Sequence, residues 1–348
     1  MRHVLVRKII RRNPFALERL PWIAKVYRFP FDHYGTIGKV ALFGAPNLLL
    51  FFLWQKLLPL KPKGTFRFSM PGQDKRITFD ARNTQFSALY SSSHQAGYEP
   101  HLMALLDALM PEDGVFLDVG SNWGFFSLFV ASKPGFKGTV HAFEPLPSTF
   151  RDLAGTVEEA GLARCIQCHH LALSDRSGEA TMLLPDHFQS GRAMLSQSDT
   201  VSPGQGKRIR ASPLDSIGLS AVSFIKIDAE GSEAKVLRGG HALITRDQPM
   251  IAFENGKLFH DTETTLEPMR WLRDRGYLFF QLAWLRGTGD TEFFFAEDYD
   301  AHPRSEETLS LVPFDLEERF LRLEAMNIVA CHRDRLPMLE RSFAIFRA

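Results

Sequence analysis

Strand-like and helix-like segments alternate through the middle of this 348-residue chain. The strand-like segments are, in chain order, "GVFLDVG", "TVHAFEP", "IQCHHLALS", "SFIKIDAEG" and "PMIAFENG". Between the second and the third, the apolar residues Phe150, Leu153 and Val157 fall on one face of a predicted helix. Alternation of this kind predicts an α/β fold with a parallel sheet and helices on both of its faces.

The composition is that of a folded chain, and its charge is unevenly distributed. With 45% hydrophobic and 23% charged residues, the chain can bury one large core or two modest ones. The formal net charge of +1 gives no overall attraction for nucleic acid, so we expect no nucleic-acid partner. Residues 1–63 nevertheless hold 12 Lys or Arg and only two acids. We therefore predict a basic extension over residues 1–85 and a main domain over residues 86–348.

The extension contains an uncharged stretch of sixteen residues, Val40–Gln55. It is shorter than the roughly 20 residues of a membrane-spanning helix. Its Pro-Asn pair suits a helix start, which predicts an apolar helix over "NLLLFFLWQKLL". That helix either packs against the main domain or lies in a membrane surface, where Trp54, Lys56 and the basic residues before it would favour anionic lipid. Peripheral membrane association through residues 1–60 is therefore an open alternative.

Two further local patterns lie between the apolar stretch and the alternating region. The segment "GTFRFSMPGQDKRITFD" alternates in the manner of a β-hairpin. Beyond it, "YEPHLMALLDALMPEDG" has helical spacing and ends at a glycine. We expect the hairpin to close the extension and the helix to open the main domain.

The three cysteines are too few for a disulfide framework in a chain of this size. The early residues are basic and lack a cleavable signal pattern, so we expect a cytoplasmic protein. Residues 165–169, "CIQCH", match a haem-attachment pattern, and His170 suggests zinc. The same stretch is a predicted strand, which would point Cys165 and Cys168 to opposite faces, so we interpret them as small core residues.

The stretch "FLDVGSNWGFF" lies where the first strand of the alternating region ends and a helix begins. In such sheets ligands bind at the carboxyl ends of strands, and Gly120 and Gly124 allow a sharp turn and a close approach to a ligand. Asp118 would repel a pyrophosphate but suits a ligand that carries an ammonium and a sulfonium. Glu144 ends the next strand, where its carboxylate can accept hydrogen bonds from both ribose hydroxyls. Together these residues predict a site for S-adenosylmethionine.

Over roughly residues 90 to 335 the chain resembles the FkbM-type S-adenosylmethionine-dependent methyltransferases. The resemblance is carried by "FLDVGSNWGFFSL", "VHAFEPLPSTFRDL", "LALSDRSGEA", "SPLDSI", "FIKIDAEGSEAKVLRGG", "PMIAFENG" and "NIVACHRD". It implies a class I methyltransferase, Rossmann-like fold with a sheet of seven strands whose last pair forms a hairpin. "YLFFQLAWL" and "NIVACHRD" would supply that pair.

The resemblance also assigns the cofactor-binding residues. Those expected along the methionine end are Asp118, Gly120, Ser121, Asn122 and Gly124. Glu144 would hold the ribose, and Ser174 with Asp175 would lie beside the adenine.

We place the reaction centre at the end of the fourth strand, in "KIDAEGSE". Asp228 is the predicted catalytic base, because it lies beside the cofactor and could take a proton from an attacking hydroxyl. Glu230 and Glu254 are predicted to orient that hydroxyl; a divalent metal held by the same three carboxylates is the less favoured alternative, and we predict no metal. Glu233 is interpreted as a helix-end charge and Lys226 as a strand residue that could pair with an acid.

The expected reaction is O-methylation of a hydroxyl, on a sugar of a glycolipid, polysaccharide or glycosylated metabolite, as the resemblance implies. A lipid or polyketide hydroxyl is the alternative acceptor. A non-enzymatic alternative is a membrane-associated protein that binds the nucleoside without turnover. The sequence leaves the oligomeric state open.

Overall fold

The computed structural model describes residues 3–21, 63–81, 83–90, 97–183, 194–195, 206–256, 262–287, 291–295, 306–321 and 325–346. The predicted apolar helix over "NLLLFFLWQKLL" lies outside these residues. Among the residues described, no helix is both long enough and apolar enough to cross a membrane.

The described strands and helices follow one another from the N-terminus in the order in which we number them. The strands are β1 (Val4–Ile10), β2 (Phe15–Arg19), β3 (Lys63–Met70), β4 (Gln73–Asp80), β5 (Val115–Val119), β6 (Thr139–Phe143), β7 (Ile166–His169), β8 (Ala172–Leu173), β9 (Gly178–Leu183), β10 (Met194–Leu195), β11 (Gly206–Ser212), β12 (Val222–Ile227), β13 (Met250–Asn255), β14 (Tyr277–Gly287), β15 (Thr291–Phe295), β16 (Glu306–Phe314), β17 (Met326–His332) and β18 (Ala344–Phe346). The α-helices are α1 (Pro100–Leu109), α2 (Phe125–Ala131), α3 (Pro147–Glu159), α4 (Glu233–Gly239), α5 (His241–Asp247), α6 (Thr262–Arg273) and α7 (Leu336–Ser342). The 3₁₀ helices are η1 (Thr84–Leu89), η2 (Leu214–Ile217), η3 (Leu316–Leu321) and η4 (Arg333–Arg335).

A large mixed sheet forms the centre of the molecule. Its strand order is β18-β1-β16-β14-β17-β13-β12-β5-β6-β7, and β15 pairs with β14. The strands β7, β6, β5, β12 and β13 are parallel, as the alternating sequence predicts. The expected number of seven strands is too low, because the described residues place eleven in this sheet.

The additional strands come from the two ends of the chain and from the segment between the expected last two strands. β14 and β17 pair antiparallel, as expected for "YLFFQLAWL" and "NIVACHRD". They are not a hairpin, since β15 and β16 intervene and both pair with β14. β1 then pairs with β16, and β18 pairs with β1. Such pairings between distant segments leave no local sequence signal.

The chain reverses its direction of winding between β5 and β12. From β5 it runs through α2, β6, α3 and β7 towards one edge, and β12 returns to the other side of β5. The carboxyl ends of two neighbouring parallel strands therefore diverge at this point into separate loops. In open α/β sheets this switch point is where a ligand crevice forms.

Alternate residues of the central strands enter the cores on the two faces of the sheet. On β5, Phe116 belongs to one buried cluster and Leu117 to the other, and Phe224 and Ile225 divide in the same way on β12. Side chains along a strand alternate between faces, so both faces must be covered. Helices α1, α2 and α3 cover one face, whereas α4, α5 and α6 cover the other.

The described part of the basic extension forms strands that join the main domain. β2, β3 and β4 form a three-stranded sheet that contains the predicted hairpin. This sheet reaches the start of α2 through stacked rings, with 4.6 Å between the centroids of Phe15 and Phe125. Arg12 donates to Asp107 at 2.8 Å and to the carbonyl oxygen of Phe129 at 2.8 Å. The division at residue 85 stays a prediction.

Candidate active site

A cavity of about 1030 Å³ opens at the carboxyl ends of β5, β6, β12 and β13. The loops after β5 and β12 supply its floor, and η1 and α6 contribute further walls. We call one part, where the sequence predicts the cofactor to lie, the cofactor half, and it is lined by Gly120, Ser121, Asn122 and Glu144. We call the other part, where the sequence predicts the reaction centre to lie, the acceptor half, and it is lined by Tyr98, Glu99, Lys226, Asp228 and Glu254.

Gly120 allows the loop after β5 to touch the loop after β12. Its φ is +72°, and a Cβ placed on it would lie 1.9 Å from the carbonyl oxygen of Asp228. A side chain there is therefore excluded by conformation and by space. The sequence predicts that Gly120 lets a ligand approach the backbone closely. In the structure Gly120 also lets the two loops of the switch point come together.

Gly124 begins α2 with a φ of +93°, and Asn122 before it also has a left-handed φ of +52°. The turn buries the Ser121 Oγ and the Asn122 Oδ1, and neither atom has a hydrogen-bond partner in the described part of the chain. A buried polar atom without a partner is costly. Both residues line the cavity, so a ligand that hydrogen-bonds to them would relieve this cost.

Asp118 lies behind the wall of the cofactor half and is completely buried. Ser127 donates to its Oδ2 at 2.6 Å, and its Oδ1 has no hydrogen-bond partner among the described residues. Burial raises the pKa of Asp118, an effect that the Lys226 ammonium partly opposes. The structure thus places this predicted residue beneath the loop rather than on the cavity surface.

Glu144 ends β6 at the position predicted for the ribose-binding residue. Its Oε1 accepts the backbone N–H of Leu146 at 2.9 Å, and its Oε2 accepts that of Asn122 at 3.1 Å. Burial raises the pKa of Glu144 to about 7. Each carboxylate oxygen can accept more than one hydrogen bond, so Glu144 retains capacity for hydroxyl donors from a ligand.

Ser174 and Asp175 pack against α4 and do not line the cavity. The carbonyl of Ser174 would lie 1.9 Å from a Cβ placed on Gly239. Asp175 accepts a hydrogen bond from Arg238 at 3.2 Å. Burial alone would raise the pKa of Asp175, but the Arg238 guanidinium lowers it. The cavity wall near them is instead formed by the backbone and apolar side chains of residues 171–173. Their alternating pattern in the sequence indicated only a strand.

Lys226 and Asp228 form a buried ion pair in the acceptor half, with 3.1 Å between Nζ and Oδ2. Only 5% of the Lys226 side chain is exposed, and its Nζ lies 5.4 Å from the ring centre of Phe126. Burial alone would lower the pKa of Lys226, but the carboxylates of Asp228, Asp118 and Glu99 raise it. Lys226 therefore stays charged beside Asp228.

Glu254 ends β13 and hydrogen-bonds to Asp228. Burial, followed by the negative charge of Asp228, raises the pKa of Glu254 to about 9. At neutral pH Glu254 is accordingly protonated and donates to Asp228. The structure brings Asp228 and Glu254 together, as the sequence predicted, and holds Glu254 in its protonated form.

The loop after β12 is held by Glu233, the first residue of α4. Its Oε1 accepts the backbone N–H groups of Ala229 and Gly231, each at 3.1 Å. Burial raises the pKa of Glu233 to about 7. Glu230 lies within this loop with a left-handed φ of +48° and lines the cavity. The interpretation of Glu233 as a helix-end charge fits these contacts.

Tyr98 and Glu99 line the acceptor half and were not predicted from the sequence. Glu99 has a φ of +44° and a ψ of 60° immediately before Pro100, a conformation that a following proline disfavours. Asn327 of β17 donates to its Oε2 at 3.0 Å. Burial raises the pKa of Glu99, while Lys226 and the hydrogen bonds of Asn327 and Tyr98 oppose the shift. The only local signal is the Gly-Tyr-Glu-Pro helix start.

Two further features support the cavity from behind. Arg319, which is fully buried, donates through Nε to the Oδ1 of Asn255 at 2.6 Å and through Nη2 to its carbonyl at 2.7 Å. Trp123 donates its indole N–H to the carbonyl of Gln85 at 3.1 Å and stacks on Phe86 with 4.7 Å between ring centres. These contacts fix the end of β13 and join η1 to the loop after β5.

The histidines and cysteines of the "CIQCH" stretch have structural partners. His141 and His169 lie 3.1 Å apart between Nδ1 and Nε2, and burial lowers the pKa of His141 to about 4. Cys165 and Cys168 are free and partly buried against the core. Within the described ranges, no group of three or more His, Cys, Asp or Glu side chains is arranged to hold a metal ion.

The fold and site define an α/β protein with a crevice at a switch point of its sheet and a paired acid and lysine inside that crevice. The model of the methyltransferase FkbM domain matches residues 118–279. The 31-O-demethyl-FK506 methyltransferase FkbM of Streptomyces tacrolimicus is 32% identical over 206 residues, which cover 49% of this chain and 74% of that protein. The chain belongs to the FkbM methyltransferase family, and it is a methyltransferase.

Two further comparisons give partial similarity. Methyltransferase 1 of Beauveria bassiana is 28% identical over 152 residues, which cover 38% of this chain and 60% of that protein. The crystal structure of methyltransferase FkbM from Methylobacillus flagellatus KT has 18% identity and a TM-score of 0.36; the similarity covers 59% of this chain and 47% of that chain.

Proposed function

We propose that the protein uses S-adenosylmethionine to methylate a hydroxyl group, on a sugar of a glycolipid, polysaccharide or glycosylated metabolite. The observation that carries the proposal is the Lys226–Asp228 ion pair, 3.1 Å long, in the same cavity as the Gly120–Gly124 loop. The pair sets the carboxyl group of Asp228 beside the predicted nucleoside site. Such a group can accept the proton that an attacking hydroxyl must lose.

The cofactor half fits the chemical groups of S-adenosylmethionine. The unpartnered Ser121 Oγ and Asn122 Oδ1 suit the polar methionine end, and the Glu144 carboxylate suits ribose hydroxyls. The apolar wall over residues 171–173 suits the adenine. When bound, the cofactor supplies a methyl group that its sulfonium already activates.

The residues of the acceptor half divide the remaining work. Asp228 takes the proton of the acceptor hydroxyl as the new oxygen–carbon bond forms and the sulfur–carbon bond breaks. Lys226 donates a hydrogen bond to Asp228, protonated Glu254 donates another, and together they fix the orientation of Asp228. A general base contributes about 10² to 10⁴ in rate, whereas holding the reacting groups in line is worth about 7–11 kcal/mol. Positioning is thus the larger effect.

The acceptor assignment rests on the polar lining of the acceptor half together with the family membership. Carboxyl and carboxylate groups from Glu99, Asp228 and Glu254 offer hydrogen-bond acceptors to a hydroxyl-rich molecule. The Streptomyces relative is named for a different acceptor, 31-O-demethyl-FK506. That name supports O-methylation as the reaction and requires lipid and polyketide hydroxyls to be tested beside sugars.

Two measurements test this function. Calorimetric titration with S-adenosylhomocysteine should show saturable binding and a higher melting temperature, because the ligand binds the folded state. Methyl-labelled S-adenosylmethionine should then transfer label to an extracted glycan, glycolipid or lipid fraction. Binding without transfer to any fraction would support the nucleoside-binding alternative, and absence of binding would contradict the proposal.

A further inference from the structure

The cavity is lined by more carboxyl groups than cationic groups, and the carboxyl groups differ in the partners that stabilise them. Among the described residues its wall carries seven carboxyl groups and three cationic groups. The carboxyl groups belong to Glu99, Glu144, Asp228, Glu230, Glu233, Glu254 and Glu267, and the cations to Lys226, Lys235 and Arg238. With Glu254 protonated, six further carboxyl groups still face three cationic groups.

Several of these carboxyl groups already have an assigned partner. Asp228 pairs with Lys226, and Glu267 pairs with Arg238. Glu233 accepts backbone N–H groups of its own loop. Glu99 differs from them, because the partners that hydrogen-bond to it are the neutral Asn327 amide and the Tyr98 hydroxyl. The cation that acts on Glu99 is Lys226, which already pairs with Asp228, so one ammonium group serves two carboxyl groups.

Glu99 lies on the acceptor side of the cavity. Its partner Asn327 is directly opposite Glu254 in the pairing of β13 with β17. In the sheet order β17-β13-β12-β5-β6, this position lies on the opposite side of β12 from Glu144. Glu99 also precedes residue 118, where the match to the family domain begins. Glu99 thus lies on the Glu254 side of the cavity, away from the residue predicted to bind the ribose.

We infer that Glu99 makes the acceptor half selective for uncharged or cationic hydroxyl compounds and against anionic ones. The inference rests on the proposed function, since it assigns the acceptor to this half. A like charge brought close to a buried carboxylate is strongly disfavoured, whereas a hydroxyl or ammonium donates to it. Substrates with a phosphate or carboxylate next to the methylated hydroxyl are therefore excluded.

The test uses three matched glycosides and the full chain saturated with S-adenosylhomocysteine. Methyl glucoside is the neutral probe, methyl glucuronide its anionic counterpart and methyl glucosaminide its cationic counterpart. We expect the neutral and cationic probes to bind at least about tenfold more tightly than the anionic probe, as a single close like charge requires. The affinities are measured by calorimetry or ligand-observed NMR.

Three variants separate the charge of Glu99 from its structural contacts. Glu99→Gln should reduce the discrimination about tenfold, and Glu99→Asp should retain it, because only the former removes the charge. Glu158→Gln removes one carboxylate from the exposed face of α3 and should leave the discrimination unchanged. Melting temperatures and affinity for S-adenosylhomocysteine establish that each variant is folded.

The outcomes distinguish this inference from the proposed function. If S-adenosylhomocysteine fails to bind the parent protein, the proposed function is wrong. If it binds but the anionic probe binds as well as the neutral one, or no neutral probe binds, the acceptor inference is wrong. If Glu99→Gln weakens S-adenosylhomocysteine and leaves the discrimination intact, Glu99 belongs to the cofactor half and the inference is also wrong.

Discussion

Lys226 and Asp228 are two residues apart at the end of β12, and their side chains meet at 3.1 Å inside the cavity. Residues at this spacing on a strand point to the same face, so the ion pair is encoded in the local sequence "KID". Asp228 lies at the switch point of the sheet, and its backbone carbonyl packs closely against Gly120. The same short segment thus closes the cofactor loop and presents the proposed base.

Glu144 should make cofactor affinity dependent on pH. Because its pKa is raised to about 7, the carboxyl group is protonated below that pH and becomes a poorer acceptor for ribose hydroxyls. Affinity for S-adenosylhomocysteine should fall as the pH decreases through about 7. Glu144→Gln should bind more weakly and lose this pH dependence. Titrations of both proteins across this range check the prediction, and tight binding by Glu144→Gln would show that the ribose assignment is wrong.

Glu254 should reduce the free energy of unfolding at alkaline pH. The pKa of Glu254 is raised from an ordinary 4.5 to about 9 in the folded protein, because folding favours its protonated form. The stability that this protonated side chain adds to the folded state is therefore fully present below 4.5 and is lost as the pH rises through about 9. Glu254→Gln keeps a hydrogen-bond donor to Asp228 without this loss. The melting temperature of the variant should therefore rise relative to the parent between these two pH values. A constant difference would contradict a protonated Glu254.

Gly120→Ala should destabilise the protein much more than Gly218→Ala. Both glycines have a left-handed φ, +72° and +77°, but a Cβ on Gly120 would lie 1.9 Å from the Asp228 carbonyl, and one on Gly218 would have no neighbour within 4 Å. The conformational cost alone is about 1–2 kcal/mol. Chemical denaturation measures both variants. Equal losses would show that the two loops do not need this close contact.

Membrane association of the extension remains a sequence-based prediction, because the apolar stretch lies outside the described residues. Lys and Arg near an anionic surface contribute about 1 kcal/mol each. The full chain should sediment with anionic vesicles at low salt and less at high salt. A variant with Lys25, Arg28 and Lys39 replaced by Gln should bind more weakly than the parent. No sedimentation with anionic vesicles at low salt would contradict the prediction.

The sequence predicted the parts of the site that local pattern determines. Gly120 and Asp228 each follow a strand of recognisable periodicity and Glu254 lies near the end of another, so their convergence at one edge of a parallel sheet followed from the fold. Tyr98 and Glu99 could not be predicted in this way. Their place in the cavity depends on β17, since Asn327 contacts Glu99 across 228 residues of sequence. The additional strands depend likewise on pairing between distant segments.

The place of Ser174 and Asp175 is set by tertiary contacts rather than by local pattern. The resemblance implied a place beside the adenine, which stays a prediction, and the structure sets both residues against α4 with Arg238 as the partner of Asp175. Burial of Ser174 follows from the tight approach of Gly239, which no feature near residue 174 indicates. Tertiary contacts of this kind decide which residues of a motif reach the cavity surface.

The central claim is that Asp228 serves as the base in methyl transfer. Its most direct test compares the parent with Asp228→Asn in transfer of label from S-adenosylmethionine to the acceptor fraction, with S-adenosylhomocysteine affinity measured alongside. The account predicts a rate lower by about 10² to 10⁴ and an affinity close to that of the parent. An unchanged transfer rate in Asp228→Asn would contradict it.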